Sequence, residues 1–270
     1  MAPPVLWQFR FSHFNEKVRW ALDWKGIPHL RRSIPPGIHV PVMRRLTGQT
    51  GTPALTLGGR NIVDSTRIIA ALEEWQPEPP LYPADPALRA RALALEDYFD
   101  EEIGQPLRKA VLHEAFSEPA WALAVFTMDQ PRWIARAFRL FGDRALRLYR
   151  AQADVNEVSA AHGRTRVLAA LDRIEEETQP SGFLVGDRFS VADLTAAALL
   201  YPLVVPPQFP DRGLKPPAAC VRYRNTLVHR PGFQWVAGMY QRFRGPSIAV
   251  EPRRRSSAWL VPLLLGRAPA

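Results

Sequence analysis

Apolar and polar positions divide the chain into a mixed front part and a helical rear part. Val5-Leu6-Trp7-Gln8-Phe9 is a short apolar run and reads as a buried strand. From 13 to 25, Phe14, Val18, Ala21 and Leu22 recur at helical spacing. Gly26 then suits a left-handed cap, and Pro28 prevents continuation. Residues 29–34 read as a second strand, and Pro35-Pro36-Gly37 opens an irregular or short helical segment up to Thr50. Ala54 to Leu57 and Asn61 to Val63 are apolar runs joined at Gly58-Gly59, a hairpin signature. Asp64 or Ser65 caps the next helix, whose Ile68, Ile69, Leu72 and Trp75 form an apolar stripe.

The stretch "QPEPPLYP" carries four prolines in eight residues and reads as a linker. Beyond it nearly everything is helical. One long helix is expected over 88–113, and one or two more over 121–126 and 133–149. A helix over 155–177 turns Val167, Leu168, Leu171 and Ile174 inward. Further helices are expected over 191–201, 218–228 and 233–243, with no internal repeat. The expected organisation is an α/β domain over 1–76, a linker over 77–87, an all-helical domain over 88–245, and a basic, then apolar tail over 246–270.

Composition narrows the function classes. With 270 residues, 47% of them hydrophobic and 23% charged, the chain has ample material for a core and is not globally disordered. The formal charge is +9, and lysine occurs only at 17, 25, 109 and 215, so the positive charge is mostly arginine. That excess reflects either genomic base composition or an anionic ligand, membrane surface or nucleic acid. No nucleic-acid-binding motif supports the last, and a nucleic-acid partner is not expected. The single cysteine, Cys220, excludes an internal disulfide and a Cys-type metal site. It reads as buried or incidental, and no metal is expected. The N-terminus lacks a signal-peptide pattern, and no apolar run reaches the roughly 18–20 residues of a membrane span. A reducing, cytoplasmic location follows, with a membrane-peripheral one as the variant.

Four motifs then stand in order: "SHFNEKVRWALDWKGIP" from Ser12, "TGTPALTL" around Thr52-Pro53, "DSTRII" from Asp64, and "FSVADL" around Ser190. Their order and spacing, across a mixed domain, a proline-rich linker and a helical domain, resemble the glutathione transferase superfamily over roughly residues 4 to 244. The resemblance implies a thioredoxin-like N-terminal domain, an all-α C-terminal domain and a homodimer. It implies that Ser12 takes the catalytic position, that Thr52 pairs through its backbone with the cysteinyl part of glutathione, and that Pro53 is cis. Asp64 and Ser65 would hold the γ-glutamyl group, with Asp64 on the α-ammonium and Ser65 on the α-carboxylate. Ser190 and Asp193 match a capping box, with Phe189 and Leu194 as its staple; this is a folding signal.

The chemistry suits these residues. A thiol near pKa 8.5 needs help to ionise at neutral pH. A helix N-terminus offers about 0.3–2 kcal/mol, and a hydroxyl bonded to the anion about 1.5–3 kcal/mol. Ser12 stands where both act. His13 departs from the usual proline and reads first as an exposed helix-mouth residue; with Phe14 and Gln49 it completes the candidate ligand contacts. Lys17 and Arg19 read first as solvent-exposed charge, and otherwise as cations that add to the field at the thiolate. Asn15 stands where redox relatives carry a second cysteine, so dithiol chemistry is not available. Gly51 replaces the lysine or glutamine that many members place before Thr-Pro, and Gln49 is its candidate substitute.

The second substrate, a small hydrophobic electrophile, is assigned to Tyr98, Phe99, His113, Phe116 and Trp121. The basic stretch "PRWIARAFRLFGDRALRLYRAQ" reads first as a packed amphipathic helix with a solvated arginine face, and otherwise as a lid, a dimer arm or a helix for an anionic membrane surface. The leading function is glutathione conjugation. The alternatives are thiol-dependent isomerisation or dehalogenation, and a non-catalytic binding protein of the same fold.

Overall fold

A computed structural model describes residues 2–128, 130–209 and 213–250. Its front part runs β1 (Val5–Gln8), α1 (His13–Trp24), β2 (Leu30–Ser33), α2 (His39–Thr47), β3 (Ala54–Leu57), β4 (Arg60–Val63) and α3 (Ser65–Trp75). The sheet order is β2-β1-β3-β4. β1 and β2 are parallel, joined by α1, whereas β3 pairs antiparallel with both β1 and β4. The β3–β4 turn is closed by Gly58 (φ +55°) and Gly59 (φ +81°), the left-handed pair that a two-residue hairpin requires.

The rear part contains α4 (Pro86–Tyr98), a π turn (Phe99–Gly104), α5 (Gln105–Ala115), α6 (Pro119–Phe126), α7 (Arg132–Gln152), α8 (Glu157–Glu177), α9 (Val191–Val204), α10 (Ala218–Asn225) and α11 (Pro231–Phe243). A thioredoxin-like layer and an all-helical layer thus form the fold. The sequence predicts one unbroken helix over 88–113. Instead the rod widens at 99–104, next to Pro106, which has no amide hydrogen for an α-type bond.

One core joins the layers: Leu6, Val18 and Leu22 from the front pack in the same cluster as Leu194, Leu199 and Tyr201 of α9. α1 is caught between α3 and α9, so residues 15 to 22 are all buried. Lys17 and Arg19 are therefore not solvated, contrary to the one-sided apolar pattern. Lys17 Nζ meets Glu96 (2.7 Å), Asp100 (2.5 Å) and Thr66 Oγ1 (3.1 Å). Arg19 Nε meets Glu16 (2.6 Å). Two apolar positions also differ from expectation. Leu168 is 41% exposed, and Trp75, 43% exposed, lays its ring edge toward Gly58 rather than inward.

Polar staples hold the joints. Lys25 Nζ donates to the carbonyls of Gln76 (2.8 Å) and Pro79 (3.1 Å) and pairs with Glu73, fixing the linker. The capping box at α9 is present: Asp193 accepts from Ser190 N–H (2.9 Å) and also from Leu184 N–H (2.8 Å). After α11 the chain returns to the front. Arg244 bonds Glu16 (2.8 Å) and Asp23 (2.9 Å), and Asp23 also accepts from Ile248 N–H (3.0 Å). The tail beyond 250 lies outside the described residues. α7 buries Ile134 and Leu146 as an amphipathic helix should, but leaves Trp133, Leu140, Phe141 and Leu148 exposed along with Arg136, Arg144 and Arg147. Among the described residues, no helix is long and apolar enough to cross a membrane.

Candidate functional site

The site grows from one edge of the sheet. Ser12 follows β1, Thr52-Pro53 precedes β3, and Asp64-Ser65 follows β4. β3 and β4 pair Ala54 with Val63, so one step further in that register sets Pro53 beside Asp64. β1 and β3 pair Trp7 with Ala54, which brings the end of β1 to the same edge. The Thr52-Pro53 bond is cis. Three pieces distant in sequence therefore meet because the sheet register leaves them nowhere else to go.

Ser12 is the N-cap of α1, with extended backbone (φ −79°, ψ 131°). Its Oγ accepts from Asn15 N–H at 3.5 Å, a long cap bond, and among the described residues its own O–H donates to nothing. That hydroxyl is thus available to an acceptor at the mouth of a helix whose N-terminus carries partial positive charge. Asn15, fully buried, donates from Nδ2 to Thr52 Oγ1 (3.2 Å) and so ties the helix mouth to the Thr52-Pro53 turn. Its Oδ1 has no partner among the described residues. Nothing in the sequence marked Asn15 for this role except its position one turn inside the helix.

Asp64 caps α3 through Oδ1, which accepts from Thr66 and Arg67 N–H, both at 3.1 Å. It adopts φ 76°, a left-handed value that costs a non-glycine residue about 1–3 kcal/mol. Its second carboxylate oxygen remains open. Ser65 is buried at N1 of α3, and its hydroxyl has no protein partner among the described residues. Gln49 is exposed beyond the left-handed Gly48 cap of α2 and does not line the cavity described below.

His13 is not the exposed residue that the sequence suggests. It is 4% exposed, and its Nε2 lies 3.0 Å from Gly104 O on the π turn. A carbonyl only accepts, so Nε2 carries the hydrogen and Nδ1 is a lone pair. Burial, then the nearby Arg108 charge, push its pKa down to about 3. A neutral ring in that tautomer has no N–H left to give a ligand anion. Phe14 lies tilted against it (4.6 Å between ring centroids, 36° between planes) and presses on Gly104, where any Cβ would overlap the phenyl ring.

Ser12, His13, Phe14, Gly51 and Thr52 open into a cavity of about 660 Å³ whose far walls come from α5, α6, α7 and α10. Phe116 and Trp121 line it, whereas Tyr98, Phe99 and His113 do not. The cavity face of α5 includes Leu107, Arg108, Val111, Leu112, Glu114 and Ala115, and His113 points away, its Nε2 3.2 Å from Glu157. Tyr98 ends α4 and Phe99 begins the widened turn, which shifts the helical phase. Phe99 is fully buried, and Tyr98 is covered by Arg173. Phe9, Phe11, His39, Arg108, Tyr149 and Tyr223 complete the working wall, none of them marked by a motif. Cys220 is half-buried in that wall, its thiol pushed up to about 12 by burial and nearby Glu114.

Comparison with known proteins agrees with this geometry. Residues 6–80 match the family "Glutathione S-transferase, N-terminal domain" and residues 132–225 match "Glutathione S-transferase, C-terminal domain". FtsZ-localized protein A of Caulobacter vibrioides is 28% identical over 200 residues, 73% of this chain and 75% of that protein. Maleylacetoacetate isomerase of Mus musculus is 33% identical over 134 residues, 46% of this chain and 61% of that protein. The solved beta-etherase LigF of Sphingobium shares the fold with a TM-score of 0.58 at 20% identity, covering 87% of this chain and 98% of its own. With both family domains matched in order on this architecture, the chain belongs to the glutathione S-transferase superfamily.

Proposed function

We propose that this chain is a glutathione-dependent transferase in which Ser12 stabilises the thiolate and the cavity receives a hydrophobic electrophile. One observation carries the reading. The unengaged Ser12 hydroxyl, the Thr52-cis-Pro53 turn and the Asp64-Ser65 cap share one sheet edge, and Ser12 and Thr52 open into an apolar cavity. Glutathione supplies the reactive sulfur. Ser12 donates its hydroxyl hydrogen to that sulfur, and the α1 N-terminus adds its field. Together these two effects lower a thiol pKa by roughly one to three units at about 1.4 kcal/mol per unit. Thr52 offers its backbone beside Pro53, the open oxygen of Asp64 accepts an α-ammonium, and Ser65 donates to an α-carboxylate. His13 and Phe14 shape the mouth rather than donate. The family resemblance carries a homodimer with it.

Calorimetry with glutathione and a chlorodinitrobenzene conjugation assay test the reading. Binding, conjugation, and loss of conjugation with retained binding in Ser12→Ala are expected. No binding at millimolar glutathione refutes it. A second reading, a non-catalytic binding protein of this fold, is favoured by Gly51 and the exposed Gln49, which leave a glycyl carboxylate no evident partner. The match to FtsZ-localized protein A, a name that describes localisation rather than catalysis, supports it too. Thiol-dependent isomerisation keeps the same Ser12 role and is supported by the maleylacetoacetate isomerase match. Binding without conjugation of a chloroarene would favour it.

A further inference from the structure

The cavity is apolar but not uniformly so. Arg108, on the cavity face of α5, has a buried Nε with no hydrogen-bond partner. Among the described residues no carboxylate lies within ion-pair distance of its guanidinium. The acids around it are committed elsewhere. Glu114 holds Arg164 (3.0 Å), Glu102 holds Arg166 (2.8 Å), Asp154 holds Lys109 (2.7 Å), and Glu157 faces His113 and Arg164. Three more donors in the wall have no partner among the described residues, Trp121 Nε1, Tyr223 Oη and Arg224 Nε. An indole N–H and a guanidinium only donate. Arg224, the other guanidinium in the wall, already donates to Val204 O (3.2 Å) and lies over the Phe233 ring. Glu114, Gln105 and Gln152 bring acceptors to the same wall, Glu114 being held by Arg164 (3.0 Å), but the buried side-chain atoms of the wall left without a partner among the described residues are donors, set among Phe9, Phe11, Phe126 and Leu146.

We propose that Arg108 anchors an anionic group on the ligand that fills this cavity, so that the ligand is an apolar body carrying a carboxylate or comparable oxyanion rather than a neutral hydrophobe. The oxyanion satisfies donors that a hydrocarbon would leave buried and unpaired, which is where a polar pocket discriminates most strongly. The paired Glu114 does not oppose it, because Arg164 neutralises that carboxylate. The proposal rests on the transferase reading only in naming this ligand as the electrophile. The anion site itself stands without glutathione.

The test compares two fluorescent probes of similar apolar body, anilinonaphthalene sulfonate and the neutral phenylnaphthylamine, on the full chain. Arg108→Gln is expected to weaken the sulfonate about ten- to hundredfold, the worth of a charge-assisted bond, and to leave the neutral probe within about twofold. Arg108→Lys keeps the charge but loses the fork, and is expected to fall between. Equal weakening of both probes, or of neither, overturns the proposal. Should Arg108→Gln not fold, Arg108→Lys decides alone, and an unchanged ratio overturns it. Conjugation of chlorodinitrobenzoate against chlorodinitrobenzene then separates the two readings. If neither is conjugated while the probe ratio falls, the transferase reading fails and the anion site stands. If both are conjugated and the probe ratio is unmoved, the anion site fails and the transferase reading stands.

Discussion

His13 links the site to the stability of the whole joint, and its contribution has a definite pH dependence. In the unfolded chain a histidine titrates near pKa 6.5. In the folded protein burial and Arg108 hold it down to about 3. The folded state therefore refuses a proton that the unfolded state takes up. His13 costs nothing above pH 6.5, and the fold loses stability as the pH falls from there toward 3. At pH 5 the unfolded imidazole is 1.5 units below its own pKa, so the loss is about 2 kcal/mol. That figure depends only on the folded value lying well below 5, not on its size.

His13→Gln removes the titration while keeping a side-chain N–H for Gly104 O. Urea unfolding of wild type and variant, followed by tryptophan fluorescence at pH 8 and pH 5, isolates the effect as a double difference. The buried His29, also shifted down by burial, titrates in both proteins and cancels. The variant is expected to be the less stable protein at pH 8, where a better-packed imidazole is lost, and to gain about 2 kcal/mol on wild type by pH 5. A stability gap that is the same at both pH values would mean that His13 titrates normally in the fold. The neutral tautomer assigned from the Gly104 contact would then be wrong, and a donor role toward ligand would reopen.

Ser12→Ala is expected to lower kcat/KM for conjugation about tenfold to a hundredfold, since one charge-assisted bond is lost, with little change in melting temperature because the cap bond is long (3.5 Å). A stability loss with activity kept would reduce Ser12 to a cap. Gly104→Ala drives a methyl into the Phe14 ring and should cost about 1–3 kcal/mol, with Phe14→Leu restoring part of it in a double-mutant cycle. Arg244→Ala strips a guanidinium from both Glu16 and Asp23. It is expected to cost about 3 kcal/mol by urea unfolding, near the low end for breaking a buried pair because Arg19 and Arg31 remain. Glu16 sharpens that test. Burial raises its carboxyl, but Arg19 and Arg244 outweigh burial and hold it below the ordinary value, so the stability it contributes is lost as pH falls. The variant's deficit should therefore shrink in acid.

Why some of this was legible and the rest was not follows from the range of each interaction. Ser12, Thr52-Pro53 and Asp64-Ser65 act through backbone devices a few residues long: a hydroxyl or carboxylate at a helix mouth, a proline before a strand. Such devices leave a local signature, and so did the hairpin and the capping box at Ser190. The four strands and most helices were likewise visible as short apolar runs or apolar periodicity. α1 was misread because it has no wet face. Its polar residues looked like the solvent side of an amphipathic helix until α9 closed over them, and the groups that make their burial tolerable, Glu96, Asp100 and Arg244, are far along the chain. His113, on α5 itself, faces Glu157 instead of the cavity, and Tyr98 and Phe99 fall outside the wall for a different reason. A single widened turn at 99–104 rotates everything before it relative to α5, and no periodicity argument carries phase across such a turn. The same reasoning gives the unpaired charge its weight. Lys17, Arg19, Lys25 and Arg244 are buried cations, and each of them meets a carboxylate. Arg108 sits on the cavity side of α5 with its neighbouring acids spent on other partners. Arg108 is only partly buried, but its Nε is wholly so, and that unpaired donor beside phenyl rings is best understood as half of a pair whose other half arrives with the ligand.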